Sequence, residues 1–183
     1  MFNEFSMDQF FSRGDVIVDV GSWDNIEPSL TLASIGCSVF PIDKYQRMEE
    51  FKEKLLKSLE RGEIEHDKAG NIHPMKADIN ELPFINESVD GVLFYYSTSW
   101  LQQFGSDLLV VYKEVNRVLK EYGIVMLFEQ TVMRAKEQES FLKTQLKTNR
   151  IGTIVLGTKI KSEKLPFNLK SKDLKLKNRT KDK

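Results

Sequence analysis

The sequence is poor in cysteine and histidine, and it has no long apolar run. Its one cysteine, Cys37, excludes an internal disulfide and a cysteine-rich zinc site, so we expect it to be buried filler. The two histidines, His66 and His73, match no spacing typical of metal ligands, and we expect both to be solvated. No apolar stretch reaches the length of a membrane span, and the first residues lack the basic-then-apolar pattern of a signal peptide. These absences predict a cytoplasmic protein without a metal site or membrane partner.

The formal net charge is zero, but the charges are unevenly distributed along the chain. Residues 161–183 contain nine Lys/Arg and three Asp/Glu, a net of +6, so the remainder carries −6. An acidic body disfavours nucleic acid as a general partner. We predict a short aromatic cap over residues 1–14, one globular domain over 15–160, and a basic, flexible tail over 161–183. The cap would cover the strand tips, contact a second subunit as in a homodimer, or pack on the flank of the sheet.

Residues 15–43 read as one β-α-β unit. The apolar, β-branched run DVIVDV is typical of a buried parallel strand, and it ends at a turn at Gly21. Pro28 suits the first turn of the helix that follows, and Gly36 can end that helix in a left-handed conformation. A second strand then runs to Asp43. Ligands bind outside the carboxyl ends of such strands, where this unit places two acids.

Asp43 follows the first turn by about twenty residues, the usual offset for a carboxylate that binds a ribose diol. The spacing therefore indicates an adenosine-type ligand. The alternative is a plain β-α-β unit with two solvated acids.

The remaining pattern alternates between strands and helices and predicts an α/β fold. It is a Rossmann-like, doubly wound sheet, mostly parallel, with helices on both faces. The predicted elements are a helix over 45–60, a third strand over 75–79, a fourth strand over 89–96, a loop or broken turn over 97–105, a helix over 106–120, a fifth strand over 124–128, a helix over 132–147, and a last strand or hairpin over 151–160.

Four stretches, in order, resemble a class I S-adenosylmethionine-dependent methyltransferase of the small, type 11-like kind. They are VIVDVGS with IGCSVFPID, ADINELPF, SVDGVLFYY, and LLVVYKEVNRVLKEYGIVMLFE. The likeness covers roughly residues 15–130. It implies S-adenosylmethionine as cofactor and a methyl acceptor that no motif identifies.

The resemblance also implies roles for individual residues at the strand tips. The loop that meets the methionine part of the cofactor would be shaped by Asp19, Gly21, Ser22 and Trp23. Asp43 would hold the ribose, with Lys44 beside the adenine. The other implied contacts are Asp78 to the adenine amino group, Ile79 on the adenine ring, and Phe94 with Tyr95 at the methionine end.

The first loop departs from the family pattern, in which glycines alternate. Here it reads Gly21-Ser22-Trp23-Asp24-Asn25, and only the first glycine is present. Because glycine lets the backbone approach a ligand closely, Trp23 must either swing outward or fill space that the cofactor would use. An alternative hypothesis is therefore a catalytically inactive, methyltransferase-like protein that binds or regulates a partner protein.

The sequence identifies no catalytic base. Tyr95, Tyr96 and Ser99 are weak candidates, while Trp100 either stacks on an acceptor, shields the sulfonium, or fills the core. A nicotinamide-dependent oxidoreductase is a third hypothesis, which the missing Gly-x-Gly-x-x-Gly fingerprint disfavours.

Overall fold

The computed structural model describes residues 6–22, 25–44 and 48–160; Trp23 and the predicted tail lie outside these ranges. None of the helices in these ranges is long and apolar enough to cross a membrane. The elements in chain order are β1 (Val16–Val20), α1 (Glu27–Ile35), β2 (Ser38–Asp43), α2 (Met48–Glu60), α3 (His66–Ala69), β3 (Met75–Lys76), β4 (Val89–Tyr95), α4 (Thr98–Gln103), α5 (Leu108–Val118), β5 (Leu119–Phe128), α6 (Val132–Leu142), β6 (Lys147–Ile151) and β7 (Ile154–Thr158).

A seven-stranded sheet organises the domain, with strand order β3-β2-β1-β4-β5-β7-β6. The strands β1 to β5 pair in parallel, whereas β7 runs antiparallel to both β5 and β6. The predicted mostly parallel α/β sheet is therefore confirmed. Because the chain proceeds from β1 to β2 on one side and returns to β4 on the other, a crevice opens at the carboxyl ends of β1 and β4.

Each face of the sheet has its own buried core. Side chains of α5 and α6 pack on one face, around Tyr112 and Leu142, and those of α1 and α2 pack on the other, around Leu32 and Phe51. Phe11 belongs to the second core, and its ring occupies the space that a β-carbon at Gly91 would need. The described part of the aromatic cap therefore packs on the flank of the sheet.

The local signals around α1 are confirmed by the structure. Pro28 lies in the first turn of the helix, and Gly36 ends it with φ of 97°. Cys37 is fully buried, as expected for a filler, and both histidines are exposed. The sequence rules for a helix start and stop were sufficient here because each signal acts within a few residues.

Several predicted elements differ from the structure in kind or in bounds. The strand β5 begins at Leu119 instead of residue 124, and α6 ends at Leu142 instead of residue 147, where β6 already begins. Residues 98–103 form the helix α4 instead of a loop, and Leu101 on this helix packs against the core beside α5. The third strand stops at Lys76, because Asp78 begins a turn by accepting hydrogen bonds from the backbone and side-chain amides of Asn80, both at 2.9 Å. The final prediction, a strand or hairpin near 151–160, is confirmed as the β6–β7 hairpin.

Candidate functional site

A cleft of about 260 Å³ lies at the carboxyl ends of β1, β2 and β3. The strand tips form one wall, and α4 with the residues just after it forms the opposite wall. The lining residues are Val20, Gly21, Ile42, Asp43, Lys44, Ala77, Asp78, Ile79, Ser97, Trp100, Leu101, Phe104 and Ser106.

Gly21 borders one end of this cleft, between the tips of β1 and β4. Its backbone has φ of 65°, and its N–H donates to the carbonyl of Ile42 at 2.9 Å. A β-carbon at this position would lie 2.7 Å from the β-carbon of Ser97. Both the positive φ and the close approach require glycine here, so the backbone can border the cleft directly.

Asp19 lies just behind Gly21 and is fully buried. Its Oδ2 accepts a hydrogen bond from Ser29 Oγ at 2.7 Å, in the first turn of α1. Its Oδ1 has no partner among the described residues. Burial raises the pKa of Asp19 to about 7, although the bond from Ser29 opposes this effect. A buried carboxylate with an unused oxygen is suited to a donor supplied by a ligand.

Two serine hydroxyls also lie close to Gly21, and of these two serines and Asp19 only Ser97 lines the cleft. Ser22 is 6% exposed and Ser97 is 3% exposed, and neither Oγ has a hydrogen-bond partner within the described residues. Since a buried polar atom without a partner costs free energy, three such atoms around Gly21 indicate a place for a polar ligand group.

Four of the predicted site residues lie together at the tips of β2 and β3, as the resemblance implies. They are Asp43, Lys44, Asp78 and Ile79. The Lys44 Nζ contacts Asp78 Oδ2 at 2.8 Å. Burial favours a higher pKa for Asp78, but the Lys44 ammonium and the Asn80 amides outweigh it and hold the pKa below its usual range. Asp43 is half-buried, while Ile79 adds a buried apolar side chain to the lining.

Phe94 and Tyr95 do not line the cleft. Phe94 is fully buried and its ring packs edge-on against Tyr112 at 6.0 Å, within the core beneath α5. Tyr95 points to the opposite face of the sheet, where it contacts Tyr96 and Phe128. Burial raises the pKa of Tyr95, which makes it a poor base near neutral pH.

The α4 wall was missed by the sequence reasoning apart from Trp100. Trp100 is 44% exposed, which excludes it as core filler, and its ring stacks on Phe104 with centroids 6.1 Å apart. The segment from Ser97 to Ser106 contains no charged residue. The i, i+4 spacing of the two aromatic residues is a signal that could have found this wall.

Glu129 is a second feature that the sequence reasoning missed. It directly follows β5 and is 4% exposed, and Thr98 Oγ1 donates to its Oε1 at 2.5 Å. Burial raises the pKa of Glu129, against the opposing effects of Thr98 and Arg134. Like Asp19 and Asp43, it is an acid at the end of an apolar strand, and that position could have flagged it.

The comparisons with known proteins agree with this geometry. The family model for a methyltransferase domain matches residues 18–127, which is more than half of the chain. No curated protein matches the sequence.

Several solved structures share the fold at low sequence identity. One is a SAM-dependent methyltransferase from Aquifex aeolicus, with a TM-score of 0.64, 16% identity, and coverage of 82% of this chain and 84% of that one. Another is a SAM-dependent methyltransferase from Methanosarcina mazei, with a TM-score of 0.63, 16% identity, and coverage of 84% and 96%. A third is the [4+2]-cyclase SpnF, with a TM-score of 0.61, 18% identity and coverage of 76% of this chain, which spans 53% of that protein. By its match over residues 18–127, the chain belongs to the methyltransferase domain family, of the S-adenosylmethionine-dependent class.

Proposed function

We propose that the cleft between the strand tips and α4 binds S-adenosylmethionine and presents its methyl group to a separate acceptor molecule. The observation that carries this proposal is that the two ends of one cleft differ in chemistry. Acids and an apolar side chain lie at the tips of β2 and β3, and three buried polar atoms without partners among the described residues surround Gly21.

The end of the cleft at the tips of β2 and β3 suits the adenosine part of the cofactor. Asp43 would accept hydrogen bonds from the two ribose hydroxyls, because an ionised carboxylate has two acceptor oxygens. Asp78 would accept from the adenine amino group, with Lys44 holding this carboxylate in its ionised form. Ile79 on one wall and Leu101 on the other supply apolar surface for the adenine ring.

The end of the cleft beside Gly21 suits the methionine part, which carries an ammonium and a carboxylate. Asp19 Oδ1 would accept from the ammonium, and the hydroxyls of Ser22 and Ser97 can either donate or accept. Gly21 lets Ser97 pack closely against its backbone, since a β-carbon there would lie 2.7 Å from that of Ser97, and so keeps the Ser97 hydroxyl beside this end of the cleft. The residues present therefore fit the cofactor at both ends.

The sulfonium of the bound cofactor supplies an electrophilic methyl group. The protein would hold the acceptor in line with that methyl, and positioning of this kind provides much of the rate in such a transfer. Tyr95 is unsuited to act as a base, since its pKa is raised. An acceptor that already carries an unprotonated lone pair would need no base from Tyr95.

A second candidate function follows from the loop Gly21-Ser22-Trp23-Asp24-Asn25. Its lack of further glycines favours a protein that retains the methyltransferase fold but acts by binding a partner protein or a second copy of itself. The fold alone does not decide between the two functions, because the [4+2]-cyclase SpnF shares it.

Isothermal calorimetry with S-adenosylmethionine and S-adenosylhomocysteine tests the first function directly. We expect micromolar binding, which corresponds to about −8 kcal/mol, and its loss in Asp43→Ala. NADH serves as the control ligand, and we expect no saturable binding of it.

The variant Trp23→Gly separates the two candidates. If the natural protein binds no cofactor at millimolar concentration but Trp23→Gly does, the glycine-poor loop has closed the site. The binding-protein function would then be favoured over catalysis.

A further inference from the structure

The helix α4 forms one whole wall of the cleft, yet it is only six residues long. Ser97 precedes the helix but makes no capping hydrogen bond through its side chain. A single short helix contributes little stability by itself, so its position over the cleft must depend on contacts with the rest of the domain.

Two side-chain hydrogen bonds connect α4 to the end of β5 and to the first turn of α6. Thr98 Oγ1 donates to Glu129 Oε1 at 2.5 Å, and Arg134 Nη1 donates to Gln102 Oε1 at 3.1 Å. The first bond is buried on both sides, since Thr98 is 0% exposed and Glu129 is 4% exposed. The contacts lie one helical turn apart on α4, and both lead to residues 129–134.

Glu129 is itself held in place by the sheet. It directly follows β5, and its backbone N–H donates to the carbonyl of Thr153 at 3.0 Å, in the turn of the β6–β7 hairpin. Around its carboxylate, Arg134 lowers the pKa, while burial and Glu137 raise it. A buried carboxylate costs free energy unless it is well hydrogen-bonded, and its bond from Thr98 is a charge-assisted one.

We propose that Glu129 is a positioning residue for the cleft. By holding Thr98 against the end of β5, it fixes the wall that carries Trp100, Leu101 and Phe104 over the bound ligand. The proposal rests on the proposed function of the cleft, because the consequence of this positioning is cofactor affinity. Its structural half, the placement of α4, can be tested without any ligand.

The experiment uses Trp100 as a reporter of the position of α4. The chain has two tryptophans, so the full-length Trp23→Phe protein has one, and its emission under excitation selective for tryptophan comes from α4 alone. Into this parent we would introduce Thr98→Val, which removes the donor, Thr98→Ser, which keeps it, and Glu129→Gln, which keeps an acceptor without the charge. The measurements are quenching of Trp100 by acrylamide, the affinity for S-adenosylhomocysteine, and the melting temperature.

We expect Thr98→Val to raise the quenching constant of Trp100 about twofold and to weaken S-adenosylhomocysteine binding about tenfold, the effect of one charge-assisted hydrogen bond. Thr98→Ser should restore both values to those of the parent. Glu129→Gln should fall between them, because a neutral acceptor forms the weaker bond.

The matched control is Tyr112→Phe. This variant removes another buried hydrogen bond, from the Tyr112 hydroxyl to Gln138 at 2.6 Å, between α5 and α6. It should lower the melting temperature without changing the quenching of Trp100 or the ligand affinity. If Thr98→Val behaves like Tyr112→Phe, Glu129 has only a structural role and the proposal is overturned.

The two proposals fail in different ways. A natural protein, with Trp23 in place, that binds no S-adenosylhomocysteine contradicts the proposed function, while the quenching series in the Trp23→Phe parent still decides whether Glu129 positions α4. If every variant binds the ligand as tightly as the parent does and shows the same quenching of Trp100, the positioning role alone is contradicted.

Discussion

The two walls of the cleft are built in different ways. The strand-tip wall follows from the register of neighbouring strands, in which Val20 pairs with Ile42 and Asp43 pairs with Lys76. The α4 wall is held by side chains more than thirty residues away in sequence, through the contacts of Thr98 with Glu129 and of Gln102 with Arg134.

This difference explains why one wall could be inferred and the other could not. An apolar run that ends in an acid and a turn is a local pattern, and the parallel fold brings several such ends together. A short helix stabilised by distant partners leaves no comparable local pattern. We therefore expect variants of the strand-tip wall to act on the ligand directly, and variants of the α4 wall to act through geometry.

The largest effect is expected for Gly21→Ala. The added methyl would lie 2.7 Å from the β-carbon of Ser97, and the backbone would keep an unfavourable φ of 65°. Placing a residue other than glycine in this region costs about 1–3 kcal/mol, and the shift of Ser97 would narrow the cleft. We expect calorimetry to show at least a hundredfold loss of S-adenosylhomocysteine affinity, and thermal unfolding to show a lower melting temperature.

Gly62→Ala is the matched control for this prediction. Gly62 has φ of 71°, but a β-carbon there would meet nothing within 4 Å. The control should lose similar stability from the backbone while retaining ligand affinity. Equal affinity losses in both variants would show that Gly21 matters only for folding.

The next largest effect is expected for Asp43→Asn. The substitution removes the negative charge but retains one acceptor oxygen, so the ribose hydroxyls would keep only part of their contact. Hydrogen bonds to charged groups contribute about 1.5–3 kcal/mol, which corresponds to roughly tenfold to hundredfold in affinity. Calorimetry should show this loss for adenosine-containing ligands. The control is Asp67→Asn, which removes the charge of an exposed acid in α3 and should leave the affinity unchanged. An unchanged affinity would contradict the ribose role.

Most of the fold was predictable from sequence, because hydrophobic periodicity and local start and stop signals indicate the strands and the larger helices. Asp43 lies at the tip of β2 and Asp78 lies two residues beyond β3, and both line the cleft, while their contacts to the cofactor stay predictions. Phe94 was expected at the methionine end but lies in the core, because alternation along β4 turns it towards α5. Glu129 was missed because its partner, Thr98, comes from a helix that the sequence did not reveal.

A smaller effect is expected from the pH dependence of cofactor binding. Burial raises the pKa of Asp19 to about 7, so its carboxyl group is largely protonated below neutral pH. The ammonium of the cofactor would bind the ionised form of Asp19 more tightly. Cofactor affinity should therefore rise by at most about tenfold per pH unit between pH 6 and 8, and then level off. Calorimetry at several pH values tests this, and Asp19→Asn should remove the dependence.

The same pKa predicts an opposite trend for stability without ligand. Because the folded protein binds the Asp19 proton more tightly than the unfolded chain does, that contribution to stability is complete below pH 3.8 and is lost as the pH rises to about 7. Denaturant unfolding at several pH values gives the free energy of unfolding. Its slope against pH should differ between the natural protein and Asp19→Asn across this range. Identical slopes would contradict the raised pKa.

The smallest effect is expected for Lys44→Gln. The Lys44–Asp78 ion pair measures 2.8 Å, but the Lys44 side chain is 57% exposed, and exposed pairs contribute about 0–1 kcal/mol. The free energy of unfolding should therefore change little, whereas the pKa of Asp78 should rise towards its ordinary value as the ammonium is lost. Affinity for S-adenosylhomocysteine should fall by less than the loss in Asp43→Asn, and the difference should shrink at high salt, because screening already weakens the exposed pair. A loss as large as that of Asp43→Asn would mean that Lys44 contacts the ligand itself, and the strand-tip wall would then have a cationic contact besides its acids.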